Sequence, residues 1–291
     1  MYKLEAKKSL GQNFLHNKTI IGKIADAGQI EEGEVILEIG PGTGELTAGI
    51  LEKIENLGGQ SGGDPIKKSK KKLKTRLISI EKDHRAIPIL QERFKKEIEE
   101  GILEVIEGDF LEMDIAALIS GRTFKIIANI PYYITGAIIR KSLELSHKPK
   151  KLIFLVQKEV AERIVQRDGK GSILSNSIAF YGVPKLLFPV AKGNFVPAPK
   201  VDSAVISVDI AEKSEKTTQK DEKEFFDLLH AGFAHKRKIL SSNIKEFLAE
   251  NKISQTATEI FENINLNPKI RAEELKIEDW ILLAKTIFKK K

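Results

Sequence analysis

From Val35 to about Leu155, short runs rich in Val, Ile and Leu alternate with stretches whose apolar positions recur every three to four residues. The runs read as strands buried on both faces and the stretches as amphipathic helices. The pattern predicts strands at Val35–Ile39, Leu77–Ile80, Leu103–Ile106, Lys125–Ala128 and Leu152–Val156. Between them it predicts helices near Leu46–Ile54, Ala86–Ile98, Ile115–Ile119 and Ala137–Leu145. Such alternation builds a parallel sheet with helices packed on it. Two later apolar runs, Val183–Phe188 and Ala204–Ile210, flank a link rich in proline and glycine and extend the sheet as a hairpin. The expected fold class is α/β, with a sheet of about seven strands over residues 1–210.

Beyond that sheet the periodicity changes. Residues 211–223 are polar and read as a linker, and 224–291 keep helical spacing with little strand signal, which predicts a small all-helical domain. A second break lies at Asn56 to Thr75, glycine-rich at first and then carrying six lysines between Lys67 and Lys74. It reads as an insert, either a solvated surface loop or an arm that grips RNA.

Composition narrows the function classes. The formal net charge is +7 and the sequence pI about 9.2, which favours a polyanionic partner. Cysteine is absent, which removes disulfides, thiolate metal sites and cysteine nucleophiles. Residues Met1 to Lys8 carry four lysine or glutamate side chains and no apolar run, so no secretory signal is expected there. No run reaches membrane-spanning length, and a cytoplasmic monomer is the expectation. His16, His84, His147, His230 and His235 show no ligand spacing, so no metal site is expected.

Candidate chemistry gathers at the strand ends. The first strand runs into VILEIGPGTGELT, which sets Gly40, Gly42 and Gly44 in the turn before a helix. Glycines there allow a tight turn and close approach of a ligand, and a purely structural turn has the same composition. A dinucleotide site asks for a small residue where Glu45 stands, and a carboxylate at a helix N-terminus has the wrong sign beside a pyrophosphate. A phosphate-free ligand such as S-adenosylmethionine suits the turn better. The second strand ends at Glu81, placed either to accept bonds from both ribose hydroxyls or simply to sit at a solvated edge. The third runs into Asp109, which suits an adenine amino group or a helix cap.

The fourth strand ends in ANIPYYIT, Ala128 to Thr135. An adenine amino group is a poor nucleophile because its lone pair is delocalised into the ring. The Asn129 side-chain oxygen and the Ile130 carbonyl are acceptors that would localise that pair, Pro131 stiffens the turn, and Tyr132 offers a face for an extruded base. A proline turn with a core tyrosine is the plainer alternative.

At these residues the chain resembles the small-subunit ribosomal RNA adenine dimethyltransferases, the KsgA or RsmA family, which shares a Rossmann-like class I methyltransferase fold with the large-subunit Erm enzymes. The likeness extends through KKSLGQNFLHN, Lys7 to Asn17; LVQKEVAERI, Leu155 to Ile164; and NFVPAPKVDSAV, Asn194 to Val205. FAHKRKILSSNI and NPKIRAEELKIEDW in the helical part resemble the small-subunit branch more than the Erm branch. The resemblance implies dimethylation of the 6-amino groups of two adjacent adenosines near the 3′ end of small-subunit (16S) rRNA, in a partly assembled subunit. It implies that Asn13, Leu15, Gly40, Gly42, Glu81, Asp109 and Asn129 contact S-adenosylmethionine, and that Asn129, Pro131 and Tyr132 form the reaction centre. Phe195 would wall the target-base pocket, and Lys236, Arg237 and Lys238 would contact phosphates. Two departures stand out: the 56–75 insert is longer than the family's usual link, and Lys170 replaces a common tyrosine before Gly171. An Erm-like enzyme, a DNA adenine methyltransferase and a non-catalytic assembly factor are the rival readings.

Overall fold

A computed structural model describes residues 4–7, 10–59, 74–211 and 218–288. Nine strands occur among these residues: β1 (Phe14–Leu15), β2 (Val35–Ile39), β3 (Arg76–Glu81), β4 (Leu103–Glu107), β5 (Phe124–Asn129), β6 (Lys151–Gln157), β7 (Gly182–Val190), β8 (Phe195–Val196) and β9 (Ser203–Ile210). Seven of them form one sheet in the order β4-β3-β2-β5-β6-β9-β7, while β1 and β8 pair separately and antiparallel. The pairs from β4 through β6 are parallel, and β9 lies antiparallel to β6.

The centre of the sheet follows from its sequence. Every residue of β2, VILEI, is buried, as a strand with both faces covered requires. The chain passes from β2 to β3 on one side and reaches β5 on the other, so strand order reverses beside β2. A crevice opens outside the carboxyl ends of the strands at such a reversal.

The helices depart from expectation where a side chain has a better use. The helix expected over Ala86–Ile98 breaks at Phe94 (φ −117°, ψ 31°) into Ile87–Arg93 and Lys95–Glu99. Phe94 leaves the helical path to bury its ring against Gly44. The Glu45–Gly59 helix is longer than expected and takes in the start of the 56–75 insert, of which residues 60–73 lie outside the described residues. Helices at Lys18–Ala27, Lys158–Ile164 and Ile173–Tyr181 were not expected.

The chain divides into two compact units: Met1–Ala161 with Pro184–Ile210, and Glu162–Val183 with Ala211–Lys291. The second unit therefore differs from the expected 224–291 domain by taking in Glu162–Val183. The cause is aromatic packing: Ile173 and Phe180 pack on the core of Phe225, Leu228 and Trp280, and the Phe180 ring stacks on Phe225 at 4.2 Å. The expected linker also ends early, because Thr218 forms a capping box with Asp221 and starts the Gln219–Gly232 helix; residues 212–217 lie outside the described residues. Among the described residues, no helix is long and apolar enough to cross a membrane, and no group of three or more His, Cys, Asp or Glu side chains is placed to hold a metal ion.

Candidate active site

The first unit carries a cleft at the carboxyl ends of β2, β3, β4 and β5, walled on one side by residues 10–15. Its floor is the glycine turn. Gly40 has φ +69° and a Cβ there would meet nothing within 4 Å, so the position needs glycine for its backbone and opens directly onto the cleft. Gly42, at φ +57°, is pressed by the Phe14 ring, which a Cβ would approach to 2.8 Å.

Glu81 lines the cleft but is no solvated edge. It is 5% exposed; its Oε2 accepts from the Gly42 N–H at 2.8 Å and its Oε1 from the Asp83 N–H at 2.7 Å. Burial pushes its carboxyl above the usual range, partly offset by those backbone donors. The carboxylate thereby ties the turn after β2 to the end of β3. Asp109 is no helix cap either: its Oδ1 accepts from the Leu111 N–H at 2.9 Å, and the next helix, Ile115–Ile119, is capped by Asp114. Its Oδ2 takes the Lys82 ammonium at 2.6 Å. Burial alone would raise the Asp109 pKa, but Lys82 and the Leu111 N–H outweigh it and hold the group below its ordinary value.

The turn after β5 is built from four constraints. The Ile130 N–H donates to the Leu155 carbonyl at 3.2 Å, anchoring the turn to β6. Pro131 leads into a short 3-10 helix, Tyr132–Ile134, closed by the Ile134 N–H on the Pro131 carbonyl. The Asn129 amide nitrogen donates to the Asn13 carbonyl at 3.1 Å, which commits the nitrogen and leaves Oδ1 as the acceptor. The Tyr132 hydroxyl shares a 2.6 Å hydrogen bond with Ser203, and burial raises its pKa despite that bond. Asn129, Pro131 and Tyr132 thus line one cleft with Asn13, Leu15, Gly40, Gly42, Glu81 and Asp109.

The other site candidates lie outside this cleft. Phe195 does not wall the cleft; it is 2% exposed in the hydrophobic core, because the β1–β8 pairing sets it opposite Leu15. Lys236, Arg237 and Lys238 belong to the second unit, where they are exposed in the turn after the Gln219–Gly232 helix.

The family model described as ribosomal RNA adenine dimethylase matches residues 3–58 and 68–289. The chain belongs to this family. It is 33% identical over 283 residues to a protein of Dehalococcoides mccartyi named ribosomal RNA small subunit methyltransferase A, covering 97% of this chain and 88% of the relative. A dimethyladenosine transferase from Plasmodium falciparum superposes with TM-score 0.70 at 26% identity, over 93% of this chain and 95% of that one. The 23S rRNA methyltransferase ErmE superposes with TM-score 0.71 at 19% identity, over 95% and 100%, a likeness of fold. The seven-stranded sheet of this dimethylase is accordingly the Rossmann-like class I methyltransferase sheet.

The cleft of this dimethylase also uses residues that sequence reading passed over. The Gln12 side chain donates to Asp83 Oδ2 at 2.9 Å, and the Arg85 guanidinium beside Asp83 holds that carboxyl well below the usual range. This clasp fixes the 10–15 wall; the GQNF run holds its only local trace. Glu38 lies buried under the turn, its Oε2 accepting from the Thr47 and Ser79 hydroxyls, each at 2.7 Å. An acid in an otherwise apolar strand was the available signal.

Proposed function

We propose that this chain transfers methyl groups from S-adenosylmethionine to the 6-amino nitrogens of two adjacent adenosines near the 3′ end of small-subunit (16S) rRNA, within a partly assembled ribosomal subunit. The observation that carries the reading is the Asn129 amide, rotated by Asn13 so that its oxygen is the free acceptor, beside Tyr132 in the cleft that begins at Gly40. The small-subunit activity comes from the name of the D. mccartyi relative.

The donor set suits the cofactor. Glu81 and Asp109 supply carboxylates, Gly40 and Gly42 supply open backbone, and Ile80 and Phe110 supply apolar walls. Such a lining favours a neutral adenosyl group and a cationic tail. Asn13 and Leu15 would close the near wall. Bound there, the cofactor supplies a methyl group already activated by its sulfonium charge. The protein's own work is to raise the nucleophilicity of the amine. Asn129 Oδ1 and the Ile130 carbonyl accept from the amino hydrogens, Pro131 keeps both acceptors aimed, and the Tyr132 face holds the base. Acceptors placed in this way are typically worth about 3 kcal/mol in the transition state. Lys236, Arg237 and Lys238 would contact phosphates and set orientation without reading bases. We assign the helical unit to RNA binding and the enzyme to the cytoplasm, as a monomer.

The deciding experiment is mass spectrometry of adenosines in 16S rRNA after unmethylated small subunits are incubated with wild type and Asn129→Ala. The expected loss in kcat is roughly 10²- to 10³-fold. Equal dimethyladenosine from both proteins would remove Asn129 from the chemistry, and wild-type product in large-subunit RNA alone, when both subunits are offered, would move the enzyme to the Erm branch.

A further inference from the structure

Two tyrosines follow Pro131, and the fold uses them in opposite ways. Tyr132 is partly buried and fixed through Ser203. Tyr133 is 60% exposed, although it lines the same cleft as Asn129, Tyr132 and Lys82. Its ring is not loose. Gly11, at φ +58°, lies so close to the ring edge that a Cβ there would stand 2.9 Å from Cδ1. One edge therefore rests on the backbone of residue 11, and the rest of the ring faces water at the rim of the reaction centre. A lone exposed ring elsewhere on a protein needs no explanation. This one is held in place, and it follows directly the aromatic residue assigned to the target base.

We infer that Tyr133 is the stacking platform for the base adjoining the target adenosine. The inference rests on the dimethyltransferase reading and adds to it a binding residue for the neighbouring nucleotide. Extruding one adenine strips its neighbour of a stacking partner and leaves that face in water. An exposed aromatic ring restores the lost contact and accepts any base, since every base has a π-face. With two adjacent adenosines as substrates, each is the neighbour while the other occupies the reaction centre. A ring held at one place takes the neighbour on one side of the strand, so Tyr133 would meet an adenine in one round and the base flanking the pair in the other, which a π-face accepts equally. Its contribution is to substrate binding and not to the chemical step.

The test compares wild type, Tyr133→Ala and Tyr133→Phe in the full chain. Steady-state methyl transfer is measured on unmethylated small subunits, and S-adenosylhomocysteine binding is measured by calorimetry. The alanine variant is expected to raise KM for the subunit roughly 5- to 100-fold with kcat near wild type. Phenylalanine restores KM, because the ring and not the hydroxyl does the work, and S-adenosylhomocysteine binds all three proteins alike. In addition, 2-aminopurine placed beside the target adenosine is quenched by wild type and Tyr133→Phe and stays bright with Tyr133→Ala. An unchanged KM in the alanine variant, while wild type transfers methyl groups, overturns the inference and leaves the functional reading standing. So does a phenylalanine variant as impaired as alanine, or a fall in S-adenosylhomocysteine affinity, which would make Tyr133 a support for the 10–15 wall. Absence of any transfer by wild type sinks the functional reading and the inference together.

Discussion

The two ends of the central strands treat buried acids differently. At the amino-terminal end, Glu34 stands just before β2 and pairs with Lys125 of β5 at 2.8 Å, both side chains 5% exposed. Lys125 also donates to the Gln29 carbonyl, and the Glu31 N–H donates to Glu34. At the carboxyl end, Glu38 and Glu81 are buried as deeply, yet neither makes an ion pair among the described residues. Hydroxyls and backbone N–H groups are their donors, and Oε1 of Glu38, like Oε1 of Glu34, has no partner among the described residues. Burial pushes the Glu38 carboxyl up to about 7, and the bonds from Ser79 and Thr47 offset only part of that rise. Glu34 is neutralised by a cation of the fold, whereas Glu38 and Glu81 lie beneath a cleft for which a cationic ligand is proposed, although the neighbouring Asp83 and Asp109 keep Arg85 and Lys82. Ligand sites in open α/β sheets lie at the second kind of end.

Removing the counter-charge at the closed end should have the largest effect. Lys125→Met leaves Glu34 buried without its cation and is expected to lower unfolding stability by about 3–5 kcal/mol in urea titrations, with most of the loss recovered in a Glu34→Gln, Lys125→Met double variant. A loss below about 1 kcal/mol would erase the distinction between the ends.

Glu38 should give a smaller, pH-dependent effect. Its folded pKa lies above the ordinary 4.5, so the folded state binds the extra proton between pH 4.5 and about 7. Its contribution to stability is complete below pH 4.5 and is lost as pH rises through about 7, with an amplitude on the order of 3 kcal/mol. Glu38→Gln is expected to flatten that slope in denaturation curves taken from pH 4.5 to 8. A slope identical to wild type would assign the pH dependence to another group.

Gly40→Ala should have the smallest effect of the three. The added methyl meets open space, so the cost is the left-handed backbone alone, about 1–2 kcal/mol in thermal or urea unfolding. Weaker S-adenosylhomocysteine binding by calorimetry should accompany it, because the methyl projects into the cleft. Undiminished binding would show that no ligand approaches that backbone.

What the sequence made legible divides by range. The seven sheet strands could be read because runs such as VILEI and KLIFLVQ are buried along almost their whole length, which a local pattern records. The Lys18–Ala27 helix was readable in principle, since Ile21, Ile24 and Ala25 form its buried face and Asn17 caps it. The break at Phe94 was not, because its cause is a glycine 50 residues earlier. Phe195 was placed on the cleft wall by resemblance alone, whereas its burial depends on a two-residue strand too short to leave a pattern. Glu81 and Asp109 line the cleft at the strand ends the sequence marks, but their partners Gly42 and Lys82 could be found only in three dimensions.

The contact between Asn13 and Asn129 spans 116 positions of the chain. A ribosome making this protein delivers residue 13 early and residue 129 much later, so the amide cannot be aimed until the early segment has found its place along the finished sheet. Under the role proposed for Asn129, competence is thus a late event in the life of the nascent polypeptide, and a partly folded chain would leave that oxygen pointing at random.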